Sequence, residues 1–190
     1  STVSALGTLV MLIGLPGEGA AMALAAFLLA HALYKAPLFF VAGNVDHCTG
    51  SRNIDHVAGL APRMPWSATA AALAAVSMAG MPFSLGFVAK DLIDVAKEEG
   101  LVLFWVSYTT VFVNAITVAV AAVAAIRMFW HRGGDEIPRE LHEASWSMKL
   151  PPLLIASLGV TLGIAPWLAN TLFEGTALSM YPETDFEGLS

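Results

Sequence analysis

Charge is scarce in this sequence. Lys, Arg, Asp and Glu make up 13% of its 190 residues, against roughly 25% in a soluble domain. A chain so poor in charge lacks the side chains for a water-facing surface of ordinary polarity, a need that lipid surroundings remove. The net charge of −6 leaves no basic patch, so no nucleic-acid partner is expected. Cysteine is nearly absent, and Cys48 alone excludes an internal disulfide framework. There is no CxxC and no His/Cys pair at ligand spacing, so neither a metal nor another cofactor is expected. His142-Glu143 opens like a zinc-protease motif but has no second His where that motif requires one. Ser1–Pro16 has neither an initiator Met nor the basic region that begins a signal peptide, and the sequence reads as a fragment of a longer polypeptide.

What is present is apolar: 57% of the residues, gathered into long runs. A membrane-spanning helix needs about 20 mostly apolar residues. Residues 101–129 are uncharged until Arg127, 150–173 follow Lys149 without a charge, 66–89 carry none, and 19–45 are apolar apart from His31 and Lys35. A shorter apolar segment covers 2–16, joined to the next by the turn Pro16-Gly17-Glu18-Gly19. The expected fold is all-α: a polytopic transmembrane bundle of about five or six helices. It spans residues 1–172 as one bundle, with an acidic tail over 173–190. Polar loops are expected at 46–65 and 130–149, and Trp66 suits a membrane interface. One helix is expected to be interrupted, because Gly80, Pro82 and Gly86 break an apolar run. The short segment after the break, about 87–97, holds Lys90, Asp91 and Asp94. Whether 66–99 crosses the membrane once or twice is left open, and with it the orientation. Abundant alanine, at 68–75 and 119–125, suits close helix packing in lipid. Asn114 and Thr117, mid-helix, are expected to make interhelical hydrogen bonds.

Two lysines stand where lysine is costly. Lys35 lies inside an apolar helix among Leu33, Tyr34, Ala36 and Leu38; a cation at the bilayer centre costs at least about 2.5–3.5 kcal/mol on insertion scales. His31 is four residues earlier, so both occupy one helix face and are able to pass a proton. Pro37 removes an N–H and frees the Leu33 carbonyl at the same level. The plainer alternative is a lysine that snorkels to the interface. Lys90 follows the expected interruption, the kind of place where transporters expose helix ends and free backbone groups. Asp91 points elsewhere on the helix, whereas Asp94, at i+4, is spaced to pair with Lys90. The alternative here is an interfacial cluster capping a helix end. His47, His56, His131 and His142 are expected in loops.

Several of these motifs are familiar. The stretch Leu29-Ala30-His31-Ala32-Leu33-Tyr34-Lys35-Ala36-Pro37-Leu38-Phe39-Phe40 resembles the lysine-bearing helix of the antiporter-like membrane subunits. That superfamily is shared by Mrp-type multisubunit Na+/H+ antiporters and the proton-pumping subunits of respiratory complex I. Ser77-Met78-Ala79-Gly80-Met81-Pro82 with Gly86-Phe87-Val88-Ala89-Lys90-Asp91 resembles its broken-helix lysine motif. Val45 to Arg52, Gly59-Leu60, Arg63-Met64-Pro65 and His142-Glu143-Ala144 with Trp146 resemble the A-type branch of the Mrp subunits. The resemblance covers about residues 1–172. It implies the second of two inverted five-helix repeats plus a following helix, with Lys35 and Lys90 on a central polar axis that carries protons. Pro37, Phe83 and Ala89 depart from the pattern, Phe83 standing where a second proline is usual.

The resemblance implies proton and cation translocation within a multisubunit Na+/H+ antiporter in the cell membrane. Lys35, Lys90 and His31 would form the proton path, with Asp91 and Asp94 in support. The implied partners are other membrane subunits, H+, Na+ or another monovalent cation, and the lipid bilayer. The chain is then part of a transporter, not an enzyme, unless it belongs to a complex I-type assembly. The rival readings are a proton-pumping subunit of complex I or of a membrane-bound hydrogenase, and a membrane scaffold that transports nothing.

Overall fold

The computed structural model describes residues 2–53, 57–99, 104–130 and 142–180. Among them the regular structure is all helix, with no strand. The helices are α1 (Thr2–Gly14), α2 (Glu18–Thr49), α3 (Pro65–Ala79), α4 (Leu85–Glu99), α5 (Phe104–Trp130), α6 (Trp146–Ile164) and α7 (Asn170–Met180). Three of them, α2, α5 and α6, are long and apolar enough to cross a membrane unaided. The expected bundle of apolar helices is therefore the observed fold.

α2 is the axis of the bundle and touches α1, α3, α4, α6 and α7. Its 32 residues rise about 48 Å, more than the ~30 Å of a hydrocarbon core. Gly50, in the left-handed conformation, stops it by sending its N–H to the Asp46 carbonyl at 2.8 Å. The helix thus runs beyond the expected end at residue 45. His47, expected in a loop, lies in its last turn, whereas His142 stands exposed in the stretch before α6. His56, His131 and the sequence beyond residue 180 lie outside the described residues.

Small side chains set the packing. Ala20, Ala21, Ala23, Ala26 and Ala30 of α2 and Ala68, Ala70, Ala71 and Ala74 of α3 are all but fully buried. Alanine faces let helix backbones approach closely, which drives association in lipid. The large apolar side chains point outward: Phe39, Trp105, Val111, Phe112 and Leu154 are all exposed. A soluble protein would bury them; a lipid-facing surface is built of them.

α3 and α4 make one interrupted crossing. The Pro65 end of α3 lies beside the start of α6, where Trp66 meets Trp146 at 5.9 Å and Ser67 N–H donates to the Glu143 carboxylate at 2.8 Å. That end sits near the C-terminal end of α2, since Asn44 Nδ2 donates to the Met148 carbonyl at 3.0 Å. At the opposite end, Ile93 and Ala96 of α4 pack on Leu12, Ala20 and Ala23. The two helices therefore follow one another along α2 and cross once. α5 returns alongside, with Thr110 near Lys97 of α4 and Phe129 accepting from Ala61 N–H.

α6 begins at Trp146, earlier than the expected residue 150, and carries Pro151 and Pro152 inside it. Pro152 has no N–H for the carbonyl four residues back, and that carbonyl, Met148, is the one Asn44 serves. A 3₁₀ turn, Pro166–Leu168, separates α6 from α7. α7 seats Phe173 and Ala177 inward, so helix continues past residue 173, where the acidic tail was expected to start.

Candidate functional site

The interruption between α3 and α4 is built from backbone geometry. Gly80 ends α3 at φ 72, a left-handed conformation that costs a side-chain-bearing residue about 1–2 kcal/mol. Its N–H reaches the Ser77 carbonyl at 3.0 Å, and Met81 N–H reaches Val76 at 3.1 Å. Phe83 sits at φ 66, a value closed to proline, so the proline that the resemblance led us to expect there would not fit this turn. Ser84 starts α4, its Oγ accepting Phe87 N–H at 3.3 Å while donating to the Met81 carbonyl at 2.6 Å. Gly86 then lets α4 lie against α3, because a Cβ there would collide with the Ser77 carbonyl.

Lys90 reaches back across this break. Its Nζ donates to the Ala79 carbonyl at 2.9 Å, one of the acceptors that the end of α3 leaves without a helical partner. The stem of Lys90 lies directly over Gly80, where an added Cβ would come within 2.6 Å of Cδ. The glycine ends a helix and makes room for the lysine in one position.

From α2, His31 and Lys35 border the same cavity as Lys90. His31 Nδ1 and the Tyr34 hydroxyl are 2.9 Å apart. The remaining wall comes from Ser4 and Thr8 of α1, Ser77 and Met78 of α3, and Asn114 and Thr117 of α5. Its volume is about 30 Å³, room for one or two water molecules. Ser77 is 2% exposed, and its Oγ has no protein hydrogen-bond partner, which fits a wall that holds water. The structure therefore brings His31, Lys35 and Lys90 together on one polar cavity, with Asn114 and Thr117 beside them. Asp91 faces outward. Asp94 pairs with Lys97 at 2.5 Å rather than with Lys90.

Sequence reasoning missed Lys97, which is buried at 8% exposure. A signal existed: Lys97 is seven residues from Lys90, which places both on one helix face. Tyr34 and Ser77 were missed as well, being unremarkable by residue type.

A helical bundle with an apolar outside, an interrupted helix and lysines on an internal polar cavity defines a polytopic membrane protein of the discontinuous-helix kind found among transporters. Residues 1–117 match the family described as NADH:quinone oxidoreductase/Mrp antiporter, TM, and the chain belongs to that family. It is similar to the A/B subunit of a K(+)/H(+) antiporter, named as probable, from Rhizobium meliloti (strain 1021), 32% identical over 87% of this chain and 17% of that protein. It is also similar to the A1 subunit of the Na(+)/H(+) antiporter of Staphylococcus aureus (strain JH9), 31% identical over 95% of this chain and 26% of that protein. Among solved structures, the Mrp complex from Dietzia sp. DQ12-45-1b contains a chain matching with a TM-score of 0.76 at 32% identity, over 100% of this chain and 21% of that one. The chain thus spans about a quarter or less of the length of the relatives it matches.

Proposed function

We propose that this chain is part of the A-type subunit of a multisubunit cation/proton antiporter in the cell membrane, and that it carries one stretch of the proton path. Lys35 and Lys90 take up and release protons, and His31 relays them. Na+ is the coupled cation in this reading; a relative named for K+ keeps another monovalent cation in view. The partners are other membrane subunits of the complex. Asp91 and Asp94 act in support, and residues 1–172 work as one bundle. The chain acts within a transporter, with translocase activity only within a complex I-type assembly.

The observation that carries this reading is the shared cavity. Two partly buried lysines from different helices border one small space lined with polar side chains, in a bundle whose outer faces are largely apolar. A lysine that borders a water-sized space is able to hand a proton to water there and take one back. Water in the cavity would connect His31, Lys35 and Lys90 without direct contact between them. A scaffold that transports nothing has no use for cations in its interior, where they are expensive.

The test uses the full-length protein in its assembled complex, with cation-driven proton movement followed in everted vesicles. Lys35→Ala and Lys90→Ala are expected to reduce transport on the order of the 10²-fold that a positioned proton-transfer group contributes. Lys35→Arg and Lys90→Arg are expected to fail similarly, since arginine with a pKa above about 12 keeps its proton. Assembly is expected to survive. Normal transport by both arginine variants would overturn proton release and leave the lysines as fixed charges.

The family description also covers NADH:quinone oxidoreductase, so a proton-pumping subunit of that enzyme or of a hydrogenase is the second reading. Purification of the native complex separates the two: redox subunits accompany the chain in one case and antiporter subunits in the other.

A further inference from the structure

The polar interior does not end at Lys90. A second cavity of about 30 Å³ lies between α1, α4 and α5, bounded by Thr8, Lys90, Asp94, Lys97, Thr110 and Asn114. Lys97 is the buried member of its ion pair, with a side chain 8% exposed against 66% for Asp94. A lysine snorkelling to the membrane surface would show the reverse. Its Nζ lies 2.5 Å from Asp94 Oδ1 and donates to Thr110 Oγ1 at 3.0 Å. Lys90, Asp94 and Lys97 stand at i, i+4 and i+7, which aligns them on one face of α4. One carboxylate is therefore within a turn of two ammonium groups, and it is engaged by only one of them. Lys90 meanwhile spends its hydrogen bond on the Ala79 carbonyl.

We infer that Lys97 is a positioning residue that holds Asp94 off Lys90 and so sets how readily Lys90 releases its proton. The inference rests on the reading of Lys90 as a proton-transfer group. A carboxylate in contact with an ammonium favours its charged form, by about 1–3 pKa units at 4–6 Å. A carboxylate drawn one turn away does so less. Two ammonium groups compete for Asp94, and Thr110 tips the competition by anchoring Lys97 from α5. A shift of α5 against α4 would loosen that anchor and return Asp94 to Lys90. The other titratable groups on the Lys90 cavities come from α2: His31, Tyr34 and Lys35. Among the described residues α1, α3 and α5 present only hydroxyl, amide and apolar groups there.

The pH profile of cation-driven proton movement, in the full-length protein within its complex, tests the role. Lys97→Met frees Asp94 for Lys90, so the pH of half-maximal transport is expected to rise by about one unit. Asp94→Asn is expected to lower it, and the double variant to lose the upward shift. Lys97→Arg is expected to keep the original profile, because a fixed positive charge is all the role requires. A uniform loss of rate at every pH in Lys97→Met would make Lys97 a packing support and overturn the inference, as would an upward shift in Lys97→Arg. Should Lys97→Met fail to assemble, Thr110→Val decides, since it removes only the anchor on α5: an upward shift supports the role and an unchanged profile ends it. Lys90→Ala keeps the two readings apart. Full transport without Lys90 removes its proton-transfer role altogether; an essential Lys90 whose profile no variant moves removes only the positioning role.

Discussion

The two halves of the interrupted helix have the same length and opposite characters. α3 and α4 are 15 residues each, joined through Gly80–Ser84. α3 carries no charge, and its alanines lock it against α2. α4 holds Lys90, Asp91, Asp94, Lys97, Glu98 and Glu99, and its buried stripe of Leu85, Gly86, Ala89, Ile93 and Ala96 ends on the buried Lys97. A single unbroken helix would offer its charges nothing but side chains. The interruption changes that: α3 ends by presenting the Ala79 carbonyl, a backbone acceptor, to Lys90. The anchored half thus supplies fixed dipoles, and the charged half supplies groups able to ionise. Rigidity and chemistry are divided between two short helices in place of being compromised within one.

Collapsing that division should have the largest effect at Gly86. Gly86→Val places a side chain on the Ser77 carbonyl, and overpacking of this kind costs about 1–3 kcal/mol or more. The expected outcome is a complex that melts at lower temperature in detergent and loses transport. Unchanged melting would mean that α4 is free to stand off from α3. Gly80→Ala should act more selectively. It adds left-handed strain of about 1–2 kcal/mol and pushes the Lys90 side chain off its seat. Transport is expected to fall further than stability does, and an equal loss of both would argue that the seat is structural only. Lys149→Ala should be mildest. Lys149 lies 3.9 Å over the Trp146 ring, at the far end of the bundle, an exposed contact worth about 0.5–1 kcal/mol. Transport is expected to be normal and the melting temperature barely lower; a transport defect there would extend the functional region well beyond α4.

Part of this was legible in the sequence because its causes are local. Gly80, Pro82 and Gly86 announce a break through backbone conformation alone, and the break lies between Ala79 and Leu85. Lys35 and Lys90 announce themselves through the cost of a cation in an apolar run. The shared cavity was not legible, since it depends on α1 and α5 closing over two helices from either side. Lys97 closes the short charged segment with no local sign of burial, and its buried amine meets Thr110, 13 residues on. The spacing of Asp94 allows Lys90 and Lys97 alike, and only the placement of α5 decides between them. Glu143 serves Ser67 across 76 residues, which no local pattern encodes. The early start of α6 escaped for a related reason. The expected segment holds both prolines in its first turn, where proline is tolerated, and the partner that tolerates them a turn deeper lies in α2.

That last contact has a bearing on biosynthesis. The Met148 carbonyl, deprived of its helical donor by Pro152, is satisfied by Asn44, 104 residues earlier. An unmet carbonyl is costly wherever lipid excludes water, so without Asn44 the first turn of α6, two residues beyond Trp146, would have to stay at the wet end of the crossing. A ribosome delivers α2 long before α6 emerges, and the donor is then already waiting in the membrane. The order of translation matches the order in which the two helices need one another. Moving α6 ahead of α2 by circular permutation would ask it to insert with that carbonyl met by water alone.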